Sequence, residues 1–78
     1  MWVIITRDNC SFCDRAKSLL TSGNRQYKVY NVQDTDNRWV LSLLKSSGIT
    51  TVPQIFRPNG ELVGGYNELK ELFVGGPL

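Results

Sequence analysis

The most constraining feature of the sequence is a pair of cysteines, Cys10 and Cys13, at a predicted junction between a strand and a helix. An apolar run, Trp2-Val3-Ile4-Ile5, precedes them, and apolar residues recur at helical spacing after them. At such a junction the first N–H groups of the helix lack intrahelical partners and the helix dipole is positive, so Cys10 should favour the thiolate. Cys13 lies about 300° further round the helix and can reach back to Cys10. The pair therefore predicts a dithiol that attacks disulfides.

The other interpretations of this pair are a structural disulfide, buried small residues and half of a zinc site. A disulfide that closes so short a loop restrains the unfolded chain little. A structural zinc ion usually takes four ligands, whereas the chain has two cysteines and no histidine, so we expect no metal site. Among the neighbouring charges, Arg7 should favour the Cys10 thiolate, and Asp14, four residues on along the helix, should oppose it. The alternative for Arg7 is a solvated surface charge without a role in the site. We expect the helix terminus and Arg7 to outweigh Asp14.

Length and charge limit the class of protein. The chain of 78 residues predicts a single domain over 1–78. The net charge of +2 is small and the basic residues are mixed with acidic ones, so we expect no nucleic-acid partner. No apolar stretch approaches the length of a membrane span, and the N-terminus lacks the pattern of a secretion signal. We therefore expect a cytoplasmic location and no membrane partner.

The first half of the sequence predicts a strand–helix–strand unit with parallel strands and a right-handed crossover. The strands are expected at 2–6 and at 26–32, the second nearer an edge of the sheet, with a helix at 11–22 that Gly23-Asn24 ends. The residues expected to face inward from this helix are Phe12, Ala16, Leu19 and Leu20. For Phe12 there is a second expectation, that it is partly exposed beside the thiol, where an apolar patch would suit docking onto protein disulfides.

The second half predicts a helix, a hairpin and a final helix. The second helix should start with Asp34 or Thr35 as its cap and end at Gly48. A β-hairpin is expected from 54–57 and 61–63 around Pro58-Asn59-Gly60, with Asn and Gly supplying unusual backbone angles. Asn67 is expected to cap the third helix, and Gly75-Gly76-Pro77 to end regular structure. The residues that the second helix is expected to bury are Trp39, Val40, Leu43 and Leu44. Those that the third helix is expected to bury are Leu69, Leu72 and Phe73. The aromatic residues predicted in the core are Trp2, Trp39, Phe56 and Phe73.

Three motifs in this order resemble the glutaredoxin family of the thioredoxin fold. Residues 6–17, Thr-Arg-Asp-Asn-Cys-Ser-Phe-Cys-Asp-Arg-Ala-Lys, are similar to its active-site segment. Thr51-Val52-Pro53-Gln54-Ile55-Phe56 is similar to the segment that bears its cis-proline, and Gly64-Gly65-Tyr66-Asn67 to its glycine pair before the last helix. The resemblance covers nearly the whole chain and implies an α/β domain of the order βαβαββα, with a four-stranded mixed sheet and three helices.

The resemblance also implies the roles of individual residues. Cys10 would be the nucleophile and Cys13 the resolving thiol, with glutathione as reductant. A cis bond before Pro53 would present backbone groups of Val52 to glutathione in a strand-like pairing. Arg7 would bind one glutathione carboxylate, and the start of the last helix would bind the other. The full set of implied glutathione-binding residues is Arg7, Phe12, Thr51, Val52, Pro53, Gly65, Tyr66 and Asn67.

The sequence departs from the family pattern at three places. Ser11 and Phe12 replace the Pro and Tyr that most often separate the two cysteines. Where the family's last motif usually has acidic residues, this chain has Asn67 and Glu68, and Asn67 keeps a capping oxygen but lacks charge. Val40 aligns with a polar residue of the second helix; Arg38 is one possible substitute but is not among the predicted site residues.

We therefore expect a monomeric, glutathione-dependent thiol–disulfide oxidoreductase that reduces protein disulfides and glutathione mixed disulfides. Its short chain resembles phage-encoded glutaredoxins, and ribonucleotide reductase is a candidate client. One alternative is a redoxin reduced by thioredoxin reductase. The other is an iron–sulfur carrier, because Ser11 resembles glutaredoxins that hold a [2Fe–2S] cluster between two subunits with glutathione as co-ligand; such a cluster is not expected here.

Overall fold

The computed structural model describes residues 1–74 and contains a four-stranded mixed sheet and three helices, as predicted. The strands are β1 (Trp2–Thr6), β2 (Tyr27–Asn31), β3 (Gln54–Phe56) and β4 (Leu62–Gly64), in the spatial order β2-β1-β3-β4. β1 and β2 are parallel, and the other two pairs are antiparallel. β2 is an edge strand, as predicted, although it is one residue shorter at each end. The expectation for residues 75–77 lies outside the described residues.

The first helix, α1 (Ser11–Ser22), has the predicted bounds and ends as its sequence indicates. Asn24 adopts a positive φ of 57°, and the N–H groups of Asn24 and Arg25 donate to the carbonyls of Thr21 and Leu20. These two bonds satisfy carbonyls that the helix end leaves without partners. α1 is thus firmly terminated before the chain returns to the sheet.

Alternation along the strands divides the core into two clusters, one on each face of the sheet. On the face covered by α1 and α3 (Tyr66–Val74), the buried residues are Trp2, Ile4, Ala16, Leu20, Ile55 and Leu69. On the opposite face, which α2 (Arg38–Ser46) covers, they are Ile5, Val32, Val40 and Leu44. Phe56 and Phe73, predicted in the core, are half-buried against these clusters, and so is Leu19.

The second helix corrects two predictions about its start and its buried side. A single 3₁₀ turn (Thr35–Asn37) precedes α2, and the side chain of Asp34 caps neither element. Trp39 and Leu43, predicted to be buried, are 57% and 56% exposed. At about 100° per residue, they lie to one side of the Val40–Leu44 line that contacts the sheet. The buried face of α2 is therefore narrower than predicted and includes Val40 and Leu44 but not Trp39 and Leu43.

The hairpin and the third helix bring two further corrections. Gly60 has a positive φ of 90° in the turn after β3, but Asn59 does not; its side chain instead accepts the N–H of Glu61 at 3.0 Å. α3 begins at Tyr66, so Asn67 lies inside its first turn and is not the cap. The helix start is held by Glu68, whose Oε1 accepts the N–H of Gly65 at 3.0 Å, the reciprocal half of a capping box.

Within residues 1–74 there is no helix with the length and apolar character needed to cross a membrane.

Candidate functional site

Cys10 is the N-cap residue of α1, and its position accounts for its predicted reactivity. Its backbone is extended (φ −121°, ψ 100°), and its Sγ accepts the N–H of Cys13 at 3.1 Å. The two cysteines form a disulfide with their Cα atoms 5.2 Å apart. Cys10 is 8% exposed and Cys13 only 1%. Cys10 is therefore the more accessible of the two residues, and its Sγ is the one that a backbone N–H would stabilise as an anion.

The loop that leads into Cys10 is tied to the end of β2. The Asn31 side chain donates to Asp8 Oδ1 at 2.7 Å, and the N–H of Asp8 donates to the side-chain oxygen of Gln33. The N–H of Gln33 in turn donates to Asn31 Oδ1 at 2.9 Å. Asn9, with φ 54°, adopts the left-handed conformation that Asn tolerates better than most residues. These contacts fix the backbone immediately before the reactive sulfur.

The segment Thr51-Val52-Pro53 contains the predicted cis peptide bond between Val52 and Pro53. The buried residue Gln54, which is 7% exposed, supports this segment. The Gln54 side-chain N–H₂ group donates to the carbonyl of Thr51 at 2.9 Å and contacts its hydroxyl at 3.2 Å. Val52 precedes β3, and neither its N–H nor its C=O bonds to another backbone group among the described residues. Both groups can therefore pair with an extended ligand.

A cleft of about 230 Å³ lies between this segment and the start of α3. The Phe12 and Tyr66 rings, with centroids 5.8 Å apart, form part of its wall. Phe12 is 50% exposed, so the expectation that it faces inward is wrong and the expectation that it is partly exposed is confirmed. It lies in the first turn of α1, between the two cysteines, and the Arg15 guanidinium is 5.2 Å from its ring centroid. The residues that line the cleft are Phe12, Thr51, Val52, Pro53, Gly65, Tyr66, Asn67 and Glu68.

Seven of the eight residues predicted to bind glutathione thus surround one cleft, and Arg7 does not. Arg7 lines an adjoining pocket of about 340 Å³, which shares Thr51 and Val52 with the cleft. Arg7 is exposed, and its only side-chain hydrogen bond among the described residues is a long one of 3.5 Å to the Asp8 carbonyl. Arg7 therefore lies near Thr51 and Val52 but outside the cleft.

The other residues considered in the sequence analysis, Asp14 and Arg38, do not line the cleft. Asp14, whose side chain is 79% exposed, lies 3.9 Å from Lys17. Arg38, considered as a substitute for the polar residue of the second helix, is exposed at the start of α2 and lines neither the cleft nor the adjoining pocket. In the described part of the chain no three His, Cys, Asp or Glu side chains cluster as a metal site would require.

The prediction of the site omitted Asn31, Gln33, Gln54 and Glu68. Asn31 and Gln33 act through hydrogen bonds to Asp8, which is distant in sequence, and the sequence carries no periodic signal for such bonds. Gln54 bonds to Thr51, only three residues away, but no motif marks that contact in the sequence. Glu68 had a local signal, because Glu three residues after a helix-capping position is the pattern of a capping box. The sequence prediction places the cap at Asn67 instead of Gly65, and the capping box of Gly65 and Glu68 is therefore missing from it.

A disulfide at the start of the first helix, beside a cleft that the cis-proline segment also lines, on a four-stranded mixed sheet, defines a thiol–disulfide oxidoreductase of the thioredoxin-like fold. Comparison with known proteins narrows this class. Residues 2–63 match the family model for glutaredoxin. The chain is 33% identical over 73 residues to the glutaredoxin of Enterobacteria phage T4, covering 82% of this chain and 84% of that protein.

Two further relatives agree. The chain is 36% identical over 78 residues to human mitochondrial glutaredoxin-2, where the match covers 97% of this chain but only 47% of that protein. Its structure is similar to that of a buckwheat glutaredoxin–glutathione complex, with a TM-score of 0.77, 26% identity, and coverage of 95% of this chain and 69% of the other. The chain belongs to the glutaredoxin family, and the resemblance found in its sequence is confirmed.

Proposed function

We propose that this protein uses glutathione to reduce protein disulfides and glutathione mixed disulfides, with Cys10 as nucleophile. One observation carries the proposal: the cleft next to α1 is lined by seven residues that the family resemblance associates with glutathione. The similar buckwheat glutaredoxin, whose structure is a complex with glutathione, supports the same ligand.

The cleft offers a partner for each part of glutathione. The unpaired N–H and C=O groups of Val52 suit the cysteine residue of the tripeptide in a short strand-like pairing. At the start of α3 the N–H of Gly65 is taken by Glu68, which leaves the first-turn N–H groups of Tyr66 and Asn67 for the γ-glutamyl carboxylate. The exposed Glu68 carboxylate, at the same end of the cleft, supplies negative charge for the neighbouring ammonium. It takes over the role for which Asn67 lacks charge.

Turnover on a glutathione mixed disulfide needs only Cys10. Its thiolate attacks the glutathione sulfur, the old S–S bond breaks, and the client leaves as a thiolate that takes up a proton. A second glutathione thiolate then attacks the Cys10–glutathione disulfide, which releases oxidised glutathione and restores the Cys10 thiolate. With a protein disulfide, Cys13 displaces the client and closes the Cys10–Cys13 disulfide, and two glutathione molecules reopen it with the release of one oxidised glutathione.

Substitution of Cys10 and substitution of Cys13 are predicted to have different effects on turnover. With a small glutathione mixed disulfide, glutathione, glutathione reductase and NADPH, Cys10→Ser should lower turnover to the background rate because the nucleophile is lost. Cys13→Ser should remain active because the attack and the second exchange involve Cys10 alone. The measurement is NADPH oxidation at several substrate concentrations.

The control is circular dichroism of both variants, which should match the wild type. An active Cys10→Ser protein with an inactive, folded Cys13→Ser protein would reverse the assigned roles. A folded wild type without turnover would contradict glutathione dependence.

The client and the location are also proposals. Ribonucleotide reductase is the proposed client, on the strength of the similarity to a phage glutaredoxin. The cytoplasm, where glutathione is kept reduced, is the proposed location. A ribonucleotide reductase assay in which this protein and glutathione are the only electron donors tests the client. No deoxyribonucleotide formation above the rate without the protein would contradict it.

A further inference from the structure

The side chains of Asn31 and Gln33 continue the pairing of β1 and β2 beyond the end of β1. The two strands pair Thr6 with Asn31, and the N–H of Val32, just past β2, donates to the carbonyl of Thr6 at 2.9 Å. Two residues after Thr6, the N–H of Asp8 donates to the side-chain oxygen of Gln33, and the Asn31 amide donates to Asp8 Oδ1 at 2.7 Å. Side chains therefore hold the loop where the strand has ended.

Asn31 is the central residue of this contact. Its Nδ2 donates to Asp8 and its Oδ1 accepts the N–H of Gln33 at 2.9 Å, so both ends of its amide are engaged. Asn31 is half-buried, whereas Asp8 and Gln33 are exposed. None of the three residues lines the glutathione cleft or the adjoining pocket. The contact is thus separate from the surfaces that a ligand would occupy.

The contact lies two residues before the reactive sulfur. Only Asn9, with its φ of 54°, separates Asp8 from Cys10. Cys10 has an extended backbone at the start of α1, and its Sγ accepts the N–H of Cys13 at 3.1 Å. The direction in which the loop enters the helix determines where this Sγ lies. A donor that is already in place stabilises a negative charge without reorganisation, so a fixed loop favours the thiolate.

We propose that Asn31 is a positioning residue for the nucleophile: through Asp8 it holds Cys10 where the N–H of Cys13 stabilises the thiolate. The inference rests on the role of Cys10 as nucleophile in the proposed function, but it concerns the thiol alone and needs no glutathione. It gives the end of β2 a part in the reaction, although β2 contributes no residue to the cleft.

A simpler role for Asn31 is to tie down an exposed loop, which concerns stability alone. That role predicts a lower free energy of unfolding when the side chain is removed and no change in the ionisation of Cys10. Loss of positioning would instead weaken the hydrogen bond to the thiolate, so that a higher pH is needed to form it.

Asn31→Ala separates these roles because it changes no charge. The charged residues of the segments next to Cys10 belong to the loop, to the first two turns of α1 and to the start of α3. They are Arg7, Asp8, Asp14, Arg15, Lys17 and Glu68. All of them are kept in the variant, so a shift in the ionisation of Cys10 would arise from its position.

The test measures how fast iodoacetamide alkylates Cys10 as a function of pH, in a Cys13→Ser parent that has one thiol and keeps the N–H. We expect Asn31→Ala to move the midpoint to higher pH and to lower the rate below the midpoint about three- to tenfold, as for a weakened hydrogen bond to a charged group. Above both midpoints the rates should converge. The matched control, Asn59→Ala, removes the acceptor of the Glu61 N–H in the hairpin and should leave the profile unchanged.

Exchange of the two side chains provides a rescue. Asn31→Asp alone sets two carboxylates against each other and should slow alkylation at least as much as Asn31→Ala. Asp8→Asn combined with Asn31→Asp restores an amide–carboxylate hydrogen bond at the parent's net charge. Alkylation should then return close to the rate of the parent. Circular dichroism checks that each variant is folded.

A folded Asn31→Ala protein with an unchanged profile, or one that is slowed equally at every pH, would overturn the positioning role. If Asn31→Ala does not fold, the exchange decides, and a double variant as slow as Asn31→Asp would overturn the role. A folded wild type without glutathione-dependent turnover would count against the proposed function only, because the alkylation assay contains no glutathione.

Discussion

At the scale of single residues, Gly64 lies between the last strand and the start of α3, which lines the cleft. Its φ of +124° is one that side chains rarely adopt, and a Cβ atom there would lie 2.8 Å from Oε1 and 3.1 Å from Cβ of Glu68. Glu68 would have to move, and its bond to the N–H of Gly65 would be lost. The backbone conformation and the start of α3 therefore both depend on the absence of a side chain at this position.

We predict that Gly64→Ala lowers the free energy of unfolding by about 2–3 kcal/mol, from backbone strain and loss of the capping contact. It should also raise KM for the glutathione mixed disulfide, because the start of α3 lines the cleft. Urea unfolding and the coupled assay measure the two effects.

The matched control for this prediction is Gly60→Ala in the hairpin turn. Gly60 also has a positive φ, of 90°, but a Cβ atom there would meet nothing within 4 Å. Its loss should be smaller, about 1 kcal/mol, with KM unchanged. Equal effects of the two substitutions on stability and KM would contradict the role given to the Gly64–Glu68 contact.

At the scale of elements, α2 shows how narrow the contact of a helix with the sheet can be. Leu43 and Leu44 are adjacent and chemically identical, yet Leu43 is 56% exposed and Leu44 only 5%. Leu44 packs with Ile5, Val32 and Val40, while Leu43 lies at the margin of a mainly apolar groove next to Trp39.

Leu44→Ala is accordingly predicted to cost about 2–4 kcal/mol of stability, because it leaves a cavity in the second core cluster. Leu43→Ala should cost no more than about 0.5 kcal/mol, as for most surface substitutions. The measurement is the urea midpoint of each variant, with the slope as a check that both unfold in the same way. Similar losses in the two variants would mean that α2 is packed differently.

The sequence predicted the elements well and the burial of α2 poorly, for a physical reason. The periods of α1 and β1 are unambiguous, and the glycines and asparagines after them mark the ends. In α2, Trp39, Val40, Leu43 and Leu44 form an apolar stripe that is compatible with burial of either half. Which half meets the sheet depends on the approach angle of the helix, which the loop before it and the residues of β1 and β3 determine.

At the scale of the whole molecule, the site is formed where four segments meet: the start of α1, the loop after β1, the cis-proline segment and the start of α3. Three of these segments could be found in the sequence because each carries an uncommon pair of residues. The start of α1 has two cysteines, the cis-proline segment has Val52-Pro53, and the start of α3 follows two glycines. The contacts of Asn31 and Gln33 with Asp8 could not be found in this way, because only the fold brings the end of β2 to the loop before Cys10.

The measurement that tests the central claim most directly is reduction of the protein's own Cys10–Cys13 disulfide. The oxidised protein is incubated with glutathione, glutathione reductase and NADPH, or separately with thioredoxin reductase and NADPH. Free thiols are then alkylated and counted by mass spectrometry. We predict two alkylated cysteines with the glutathione system and none with thioredoxin reductase. A disulfide that resists glutathione but opens with thioredoxin reductase would contradict the account.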